Sequence, residues 1–343
     1  MNRAVCGALS CLVLQAGVAA WRTAPTLPPR LDSYLSKVVR LSTADRKRLT
    51  DGAAVTRLLD ADASKEVAVF GAIWIAAPIA RYIEAVNDIE RLESGSGYRI
   101  TKRLSSRPVV EDFAAMSLTD DDLKDLRKCR IGDCDIKLDE HAIRRFQSEI
   151  NWRAADARAA ADALMRQVAL GYVTRYLEAG NERLPVYRDK SRATMVADEF
   201  RSMIGGMQEF NAFIPDLRAY LLEYPKVTLA GASSFFYWQQ TVFGLKPTLR
   251  ISHLTVREGK DETLVTSKML YASHYFWTAI ELRTLLPDPV RGTGFWLITV
   301  NRSRSDGLSG FTGAFVRRRV RSQVQSATVA GLQLTKQKVE QRR

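Results

Sequence analysis

The sequence predicts an α+β fold: an antiparallel sheet, a helical region inserted into it, and a long helix that closes the chain. Three observations predict it. Residues 65–104 have a strand, helix, strand pattern. Five strand-like runs separated by short turns follow Pro225. A helical pattern then occupies the C-terminal residues, while residues 105–232 are mainly helical in pattern.

The composition is that of a globular protein with a substantial core. Of 343 residues, 46% are hydrophobic and 9% aromatic, which excludes a disordered chain. The net charge is +13, and eleven Lys and Arg against two acidic residues place +9 of it in Arg291–Arg343. This basic tail is either a solvated helix face or a surface for an anionic partner.

Residues 1–20 have the pattern of a secretory signal peptide. Arg3 precedes an apolar run from Ala4 to Val18, and small residues follow it. The run is shorter than the ~20 residues that a membrane-spanning helix needs. We therefore expect an exported protein, periplasmic or secreted.

Two cysteines, Cys129 and Cys134 in "CRIGDC", remain after removal of the signal peptide. An oxidising compartment favours a disulfide between them. A zinc site is the weaker alternative, because His141 is the only histidine nearby. We expect no metal and no cofactor.

Residues 21–64 are predicted to be a linker followed by a short helix. Prolines make residues 21–41 extended in pattern, and Ser42 with Asp45 forms a capping box. The helix is predicted from Thr43 to about Leu59, with an interruption near Gly52.

The next elements follow from hydrophobic periodicity. Val67–Ile75 is predicted as a strand, Pro78 opens a helix that ends before Gly95, and Tyr98–Leu104 is a second strand. In the helical region, Thr119 caps one helix, Gly180 stops a long Ala-rich helix, and Pro215 opens another.

The later strands are predicted at Ser234–Phe243, Thr248–Glu258, Thr263–Ala272, Tyr275–Leu286 and Gly294–Asn301. Three glycines then allow a turn: Gly307, Gly310 and Gly313. The terminal helix is predicted to pack on the sheet through one narrow face: Val316, Val320, Val324, Ala327, Gly331 and Leu334.

Two segments carry a resemblance to a known superfamily. "VAVFGAIWIAAPIARYIEAVNDIE" and "FVRRRVRSQVQSATVAGLQLTKQKVE" resemble the opening strand and helix, and the closing helix, of START-like proteins, which include polyketide cyclases and lipid-transfer domains. The resemblance assigns residues 65–104 and 233–343 to one helix-grip domain, with 105–232 as an insertion. It implies a curved sheet wrapped around the closing helix, with an apolar cavity between them.

The candidate ligand residues follow from this implied cavity. Strand aromatics either line it or simply fill the core: Tyr237, Trp238, Tyr271, Phe276, Trp277 and Trp296. Arg302, Arg304 and Asp306 either hold a ligand head group or form an internal Arg–Asp pair.

No catalytic motif of high specificity is present. His253 and His274 lie on predicted strands, and either is a candidate general base, with Glu281 as a carboxylate that orients the ring. The alternative is that both histidines have structural roles.

The expected function is an exported, non-catalytic protein that binds a hydrophobic or amphipathic small molecule such as a lipid. One alternative is a cyclase- or hydrolase-like enzyme that uses a strand histidine. Another is an envelope interaction protein whose basic tail contacts an anionic membrane surface. Nucleic acid is not an expected partner.

Overall fold

The protein is α+β, with one eight-stranded sheet that does not close into a barrel. The structure, a computed structural model, describes residues 26–207, 215–243, 246–306, 308 and 313–341. The signal peptide expected at residues 1–20, and the turn residues Gly307 and Gly310, lie outside this range. None of the described helices is both long and apolar enough to cross a membrane.

All neighbouring strands in the sheet are antiparallel, in the order β1-β2-β10-β9-β8-β7-β6-β3. The strands are β1 (Val55–Leu58), β2 (Glu66–Ile75), β3 (Tyr98–Arg103), β6 (Ala232–Phe243), β7 (Lys246–Glu258), β8 (Thr263–Ala272), β9 (Phe276–Pro287) and β10 (Phe295–Ser305). Two-residue strands β4 (Val186–Tyr187) and β5 (Thr194–Met195) form a separate pair. The seven strands predicted from periodicity are confirmed, as is the break near Ser273.

The strand β2, whose ten residues are all buried, pairs with β10 along its whole length. The first predicted strand and the last thus lie side by side, although more than 200 residues separate them. After β2 the chain forms α3 (Ile79–Asn87) and α4 (Ile89–Leu92), as the helical pattern after Pro78 predicts.

The closing helix α10 (Gly313–Glu340) packs on β2 and β1, but through a different face from the predicted one. Its buried residues are Leu332 and Val339, whereas Ala327, Ala330 and Gly331 are exposed and Leu334 is 42% exposed. The predicted face is therefore wrong for Ala327, Gly331 and Leu334, whereas Val320 and Val324 are half-buried and the side chain of Val316 lies outside the described part of the chain. Small residues remove little apolar area from water, and the two large aliphatic residues determine which face is buried.

The second half of α10 is also held by polar contacts. Lys336 Nζ donates to the Trp74 carbonyl oxygen at 3.0 Å, and Lys338 Nζ donates to the Leu92 carbonyl oxygen at 2.8 Å. The Ala76 backbone N–H donates to Glu340 Oε1 at 2.6 Å. Gly71 permits this approach, because a Cβ there would lie 2.7 Å from Thr328 Cγ2.

The region between β3 and β6 contains helices α5 (Asp120–Lys128), α6 (Glu140–Ser148), α7 (Ala157–Ala179), α8 (Val196–Gly205) and α9 (Pro215–Glu223). Their caps agree with the sequence: Thr119 caps α5, and Gly180 ends α7 with a φ of 59°. Cys129 and Cys134 form the predicted disulfide. A disulfide indicates an oxidising environment, such as an exported one.

The N-terminal expectations are partly wrong. Residues 29–37, expected to be extended, form helix α1 (Pro29–Lys37), because Pro29 fits a first helical turn. Ser42 caps α2 as predicted, but α2 (Thr43–Thr50) ends before Gly52. The residues expected to continue that helix form β1, an edge strand paired with β2.

The two faces of the sheet pack against different parts of the chain. The face that we call the concave face carries Ile73, Leu254, Leu285 and Leu297 and contacts α3, α4 and α10. The opposite face carries Phe70, Trp238, Ile251 and Trp296 and contacts the N-terminal helices and the helices of residues 105–232. The candidate site lies on the concave face.

Candidate functional site

A charged network occupies the concave face where α4 ends. Glu93, the residue after α4, accepts a hydrogen bond from Arg283 of β9 at 3.2 Å. The same Arg283 nitrogen donates to Glu281 Oε2 at 2.6 Å, and a second one lies 3.5 Å from the Tyr82 hydroxyl. Arg283 thus joins two carboxylates and a phenol within the domain.

Strands β3 and β6 complete the environment of Glu93. Gln239 Nε2 donates to Glu93 Oε2 and, at 3.3 Å, to Thr101 Oγ1. The Thr101 hydroxyl donates to the Glu93 backbone carbonyl at 2.7 Å. Burial raises the pKa of Glu93, and the opposing effect of Arg283 does not offset this.

Three other polar side-chain atoms on the concave face have no hydrogen-bond partner among the described residues. Ser252 Oγ, Thr299 Oγ1 and Arg250 Nε are buried and make no hydrogen bond within the described part of the chain. Arg250 and Ser252 point to the same face of β7, because strand residues two apart do so. Ser252 pairs directly with Tyr237, whose hydroxyl lies 2.7 Å from Ser267 Oγ.

The concave face is closed at one end and partly open at the other. Phe295 and Leu297 are fully buried at the closed end. Ala279, Glu281, Asn301 and Ser303 are only half-buried at the other. The network therefore lies between a fully buried apolar end and a half-buried end.

The predicted aromatic residues are distributed over both faces. Tyr237 lies on the concave face. Trp238, Tyr271 and Trp296 lie on the opposite face, where they pack against Phe113, Tyr172 and Trp74, respectively. Phe276 and Trp277 are half-buried at the start of β9.

The charged residues predicted to hold a head group have internal partners. Arg302 donates to Glu66 Oε1 at 2.8 Å, and Arg304 donates to Glu66 Oε2 at 2.9 Å and to Glu199 at 3.0 Å. Asp306 accepts a hydrogen bond from Lys137 at 2.7 Å. These residues therefore form internal ion pairs, which was the alternative to a head-group site. The arginines, however, pair with glutamates rather than with Asp306.

His274 is buried at the break between β8 and β9. Its Nε2 lies 2.8 Å from Asp122 Oδ1, and its Nδ1 lies 3.1 Å from the Asp135 carbonyl oxygen. Burial raises the pKa of Asp122, but hydrogen bonds from His274 and Thr119 more than offset it and leave the pKa below its ordinary value. The contacts fasten residues 105–232 to the sheet.

His253 is buried on the opposite face, in a cluster that the sequence did not indicate. Its ring stacks on Phe236, with centroids 4.5 Å apart, and its Nδ1 lies 3.3 Å from the Tyr176 hydroxyl. Lys268 Nζ lies 3.2 Å from the same hydroxyl. Burial and the nearby Lys268 lower the pKa of His253 to about 3, so its ring is neutral at neutral pH.

Sequence reasoning identified Glu281 and Tyr237 on the concave face but missed Glu93, Arg250 and Arg283. A signal was present: Arg250 lies within the predicted strand Thr248–Glu258, and Arg283 lies within the predicted strand Tyr275–Leu286 beside Glu281. Charged residues that point inward from a strand indicate either a paired network or a site.

Comparison with known proteins adds no family to this geometry. No protein-family model matches this chain, and no curated protein matches it.

Proposed function

We propose that this protein is an exported, non-catalytic carrier that binds one amphipathic small molecule, such as a lipid, on the concave face beneath α10. The sheet order and the closing helix are compatible with the START-like resemblance, which implies a ligand in this position. The disulfide and the secretory pattern of residues 1–20 support a periplasmic or secreted protein.

The unpartnered polar atoms of the concave face carry the proposal. A buried polar group without a partner costs about 1–3 kcal/mol. Such atoms also occur on the opposite face, including Thr266 Oγ1 and the Tyr271 hydroxyl, but helices cover that face. Ser252 Oγ, Arg250 Nε and Thr299 Oγ1 share a face with Leu254, Val256 and Phe235. A ligand with an apolar body and a polar end satisfies both kinds of surface.

The histidine-based enzyme is not favoured. His253 lies on the opposite face and His274 lies at the break between β8 and β9, and residues 105–232 contact both. Neither imidazole reaches a molecule bound on the concave face, so the proposed function is binding.

Native mass spectrometry and lipid extraction of the purified protein test the proposal. We expect a bound molecule that Ser252→Ala weakens by about fivefold, the value of one neutral hydrogen bond of about 1 kcal/mol. Arg250→Gln should weaken it more, because hydrogen bonds to charged groups contribute about 1.5–3 kcal/mol.

The matched control is Thr266→Val, which removes another buried hydroxyl without a partner among the described residues, on the opposite face. It should leave ligand affinity unchanged. A protein that is always isolated empty and takes up no lipid would contradict the proposal, as would equal effects of Ser252→Ala and Thr266→Val.

A further inference from the structure

The first half of α10 carries a dense positive charge. Arg317, Arg318, Arg319 and Arg321 lie within five positions, and no acidic residue occurs between Asp306 and Glu340. No carboxylate of the described residues forms an ion pair with any of them; Arg317 donates to the Leu308 carbonyl oxygen at 2.6 Å. Like charges this close repel one another unless an anion lies nearby.

Several arginines in other helices of the chain have acidic partners. Arg144 pairs with Glu140 at 2.7 Å, and Arg145 pairs with Glu149 at 2.7 Å, each one turn away. Arg201 pairs with Asp198 at 3.0 Å. The first half of α10 thus differs from these helices in the absence of acidic neighbours.

An open cleft lies between these arginines and the edge of the sheet. It has a volume of about 360 Å³ and is lined by Leu58, Arg317, Arg318, Arg321, Ser322 and Gln325. Arginine, serine and glutamine side chains all donate hydrogen bonds to oxyanions, and the planar guanidinium binds phosphate oxygens in pairs. Leu58 belongs to β1, the edge strand, so the cleft lies at a margin of the molecule.

We propose that this cleft, together with the arginines beside it, docks the protein on an anionic phospholipid surface by binding lipid phosphates. The open shape favours a membrane over a free phosphate ion. A single ion in an open cleft remains hydrated and gains little, as exposed ion pairs do. An array of head groups acts on several arginines at once, at about 1 kcal/mol for each basic residue near the surface.

Co-sedimentation with vesicles of phosphatidylcholine, with and without phosphatidylglycerol, tests the docking surface at an ionic strength of about 0.1 M. We expect binding only to vesicles that contain phosphatidylglycerol. Arg318→Gln/Arg321→Gln should weaken it about 30-fold, from two residues at about 1 kcal/mol each. All variants share one N-terminus, so any effect of residues 1–25 cancels between them.

The matched control is Arg153→Gln/Arg192→Gln, which removes the same charge from exposed arginines elsewhere. This variant should bind the vesicles with an affinity within about threefold of the wild type. Salt screens the attraction between the membrane and charges that lie more than about 10 Å from the membrane surface. Thermal unfolding of each variant confirms that it is folded.

Three results would overturn the docking surface. One is equal weakening by the control pair, which would mean attraction by total charge. Another is equal binding to pure phosphatidylcholine or no vesicle binding. The third is complete competition by soluble glycerol phosphate, which would identify a small phosphate ligand. None of these bears on the concave face, so this proposal and the carrier proposal fail independently.

Discussion

Lys268 has a fully buried amine with no carboxylate partner among the described residues, and we predict that it makes stability depend on pH. Its Nζ lies 3.2 Å from the Tyr176 hydroxyl and 3.4 Å from the Leu221 carbonyl oxygen, and donates to Asn181 Oδ1. Burial lowers the pKa of Lys268 well below its ordinary value. The folded protein therefore releases the Lys268 proton at a lower pH than the unfolded chain does.

The size of the effect follows from the proton count. The unfolded chain keeps Lys268 protonated up to about pH 10.4, whereas the folded protein does not. Unfolding thus takes up one proton, and the free energy of unfolding rises by about 1.4 kcal/mol per pH unit from this residue. This slope holds at pH values between the folded pKa and the unfolded pKa of Lys268.

Urea unfolding of the wild type and of Lys268→Met at several pH values measures it. Because methionine does not titrate, the difference between the two unfolding free energies should grow with this slope toward high pH. Lys260→Met, at an exposed turn, is the matched control, and its free energy of unfolding should vary with pH in parallel with that of the wild type. Parallel lines for Lys268→Met would show that the amine is charged in the folded protein and would refute the reasoning.

Three further predictions concern stability. The pKa of His253 is about 3 in the folded protein, against an ordinary value of 6.5. The free energy of unfolding that this difference contributes is fully present above pH 6.5 and falls as the pH drops toward 3. In urea unfolding, His253→Gln should lack this pH dependence. Gly71→Ala places a methyl group 2.7 Å from a side chain of α10. It should destabilise the protein by about 1–3 kcal/mol and speed amide exchange in α10. Gly97→Ala, whose added methyl group would have nothing within 4 Å, should have neither effect. Glu66→Gln removes the carboxylate that pairs with the buried Arg302 and Arg304. It should lower the free energy of unfolding in urea by about 3–5 kcal/mol. The control Glu178→Gln, at an exposed position, should leave that free energy unchanged.

The sheet was predictable because its strands are long and bounded by turn residues. Period-two patterns and glycine or proline breaks define β6 to β10 within a few residues. Strand β1 was not predictable, because "VTRL" is short and only Val55 in it is buried. Its strand conformation depends on pairing with β2, and that pairing is a tertiary contact.

The buried face of α10 shows why periodicity alone is ambiguous. Val320, Val324, Ala327 and Gly331 are spaced three or four positions apart and share one face of a helix. Leu332 and Val339 are seven positions apart, so they also share a face. The choice depends on where the partner surface has space. Gly71 supplies that space opposite Thr328 and Leu332, and only the fold places Gly71 there.

The charged network was out of reach for a related reason. Glu93 and Arg283 are 190 residues apart in the sequence, and only the sheet order brings them within 3.2 Å. The sequence shows that both residues are charged and lie near apolar residues, but it does not show that Arg283 and Glu93 form a hydrogen bond. By contrast, Cys129 and Cys134 are close in the chain, so their disulfide was predictable.

The two faces of the sheet constrain where a ligand can bind. The opposite face is covered by α7, α8 and α9 and by the N-terminal helices, and ligand entry there would require separating buried aromatic contacts such as Tyr172 with Tyr271. On the concave face, the first half of α10 has no residue as buried as Leu332 or Val339 among those described. Because helix segments with few buried contacts open at a lower free energy, the first half of α10 should open more easily than its second half. The first half lies beside β1, whose Leu58 lines the same cleft as Arg317 and Arg321, so the least buried part of α10 is also the part that carries the arginine cluster.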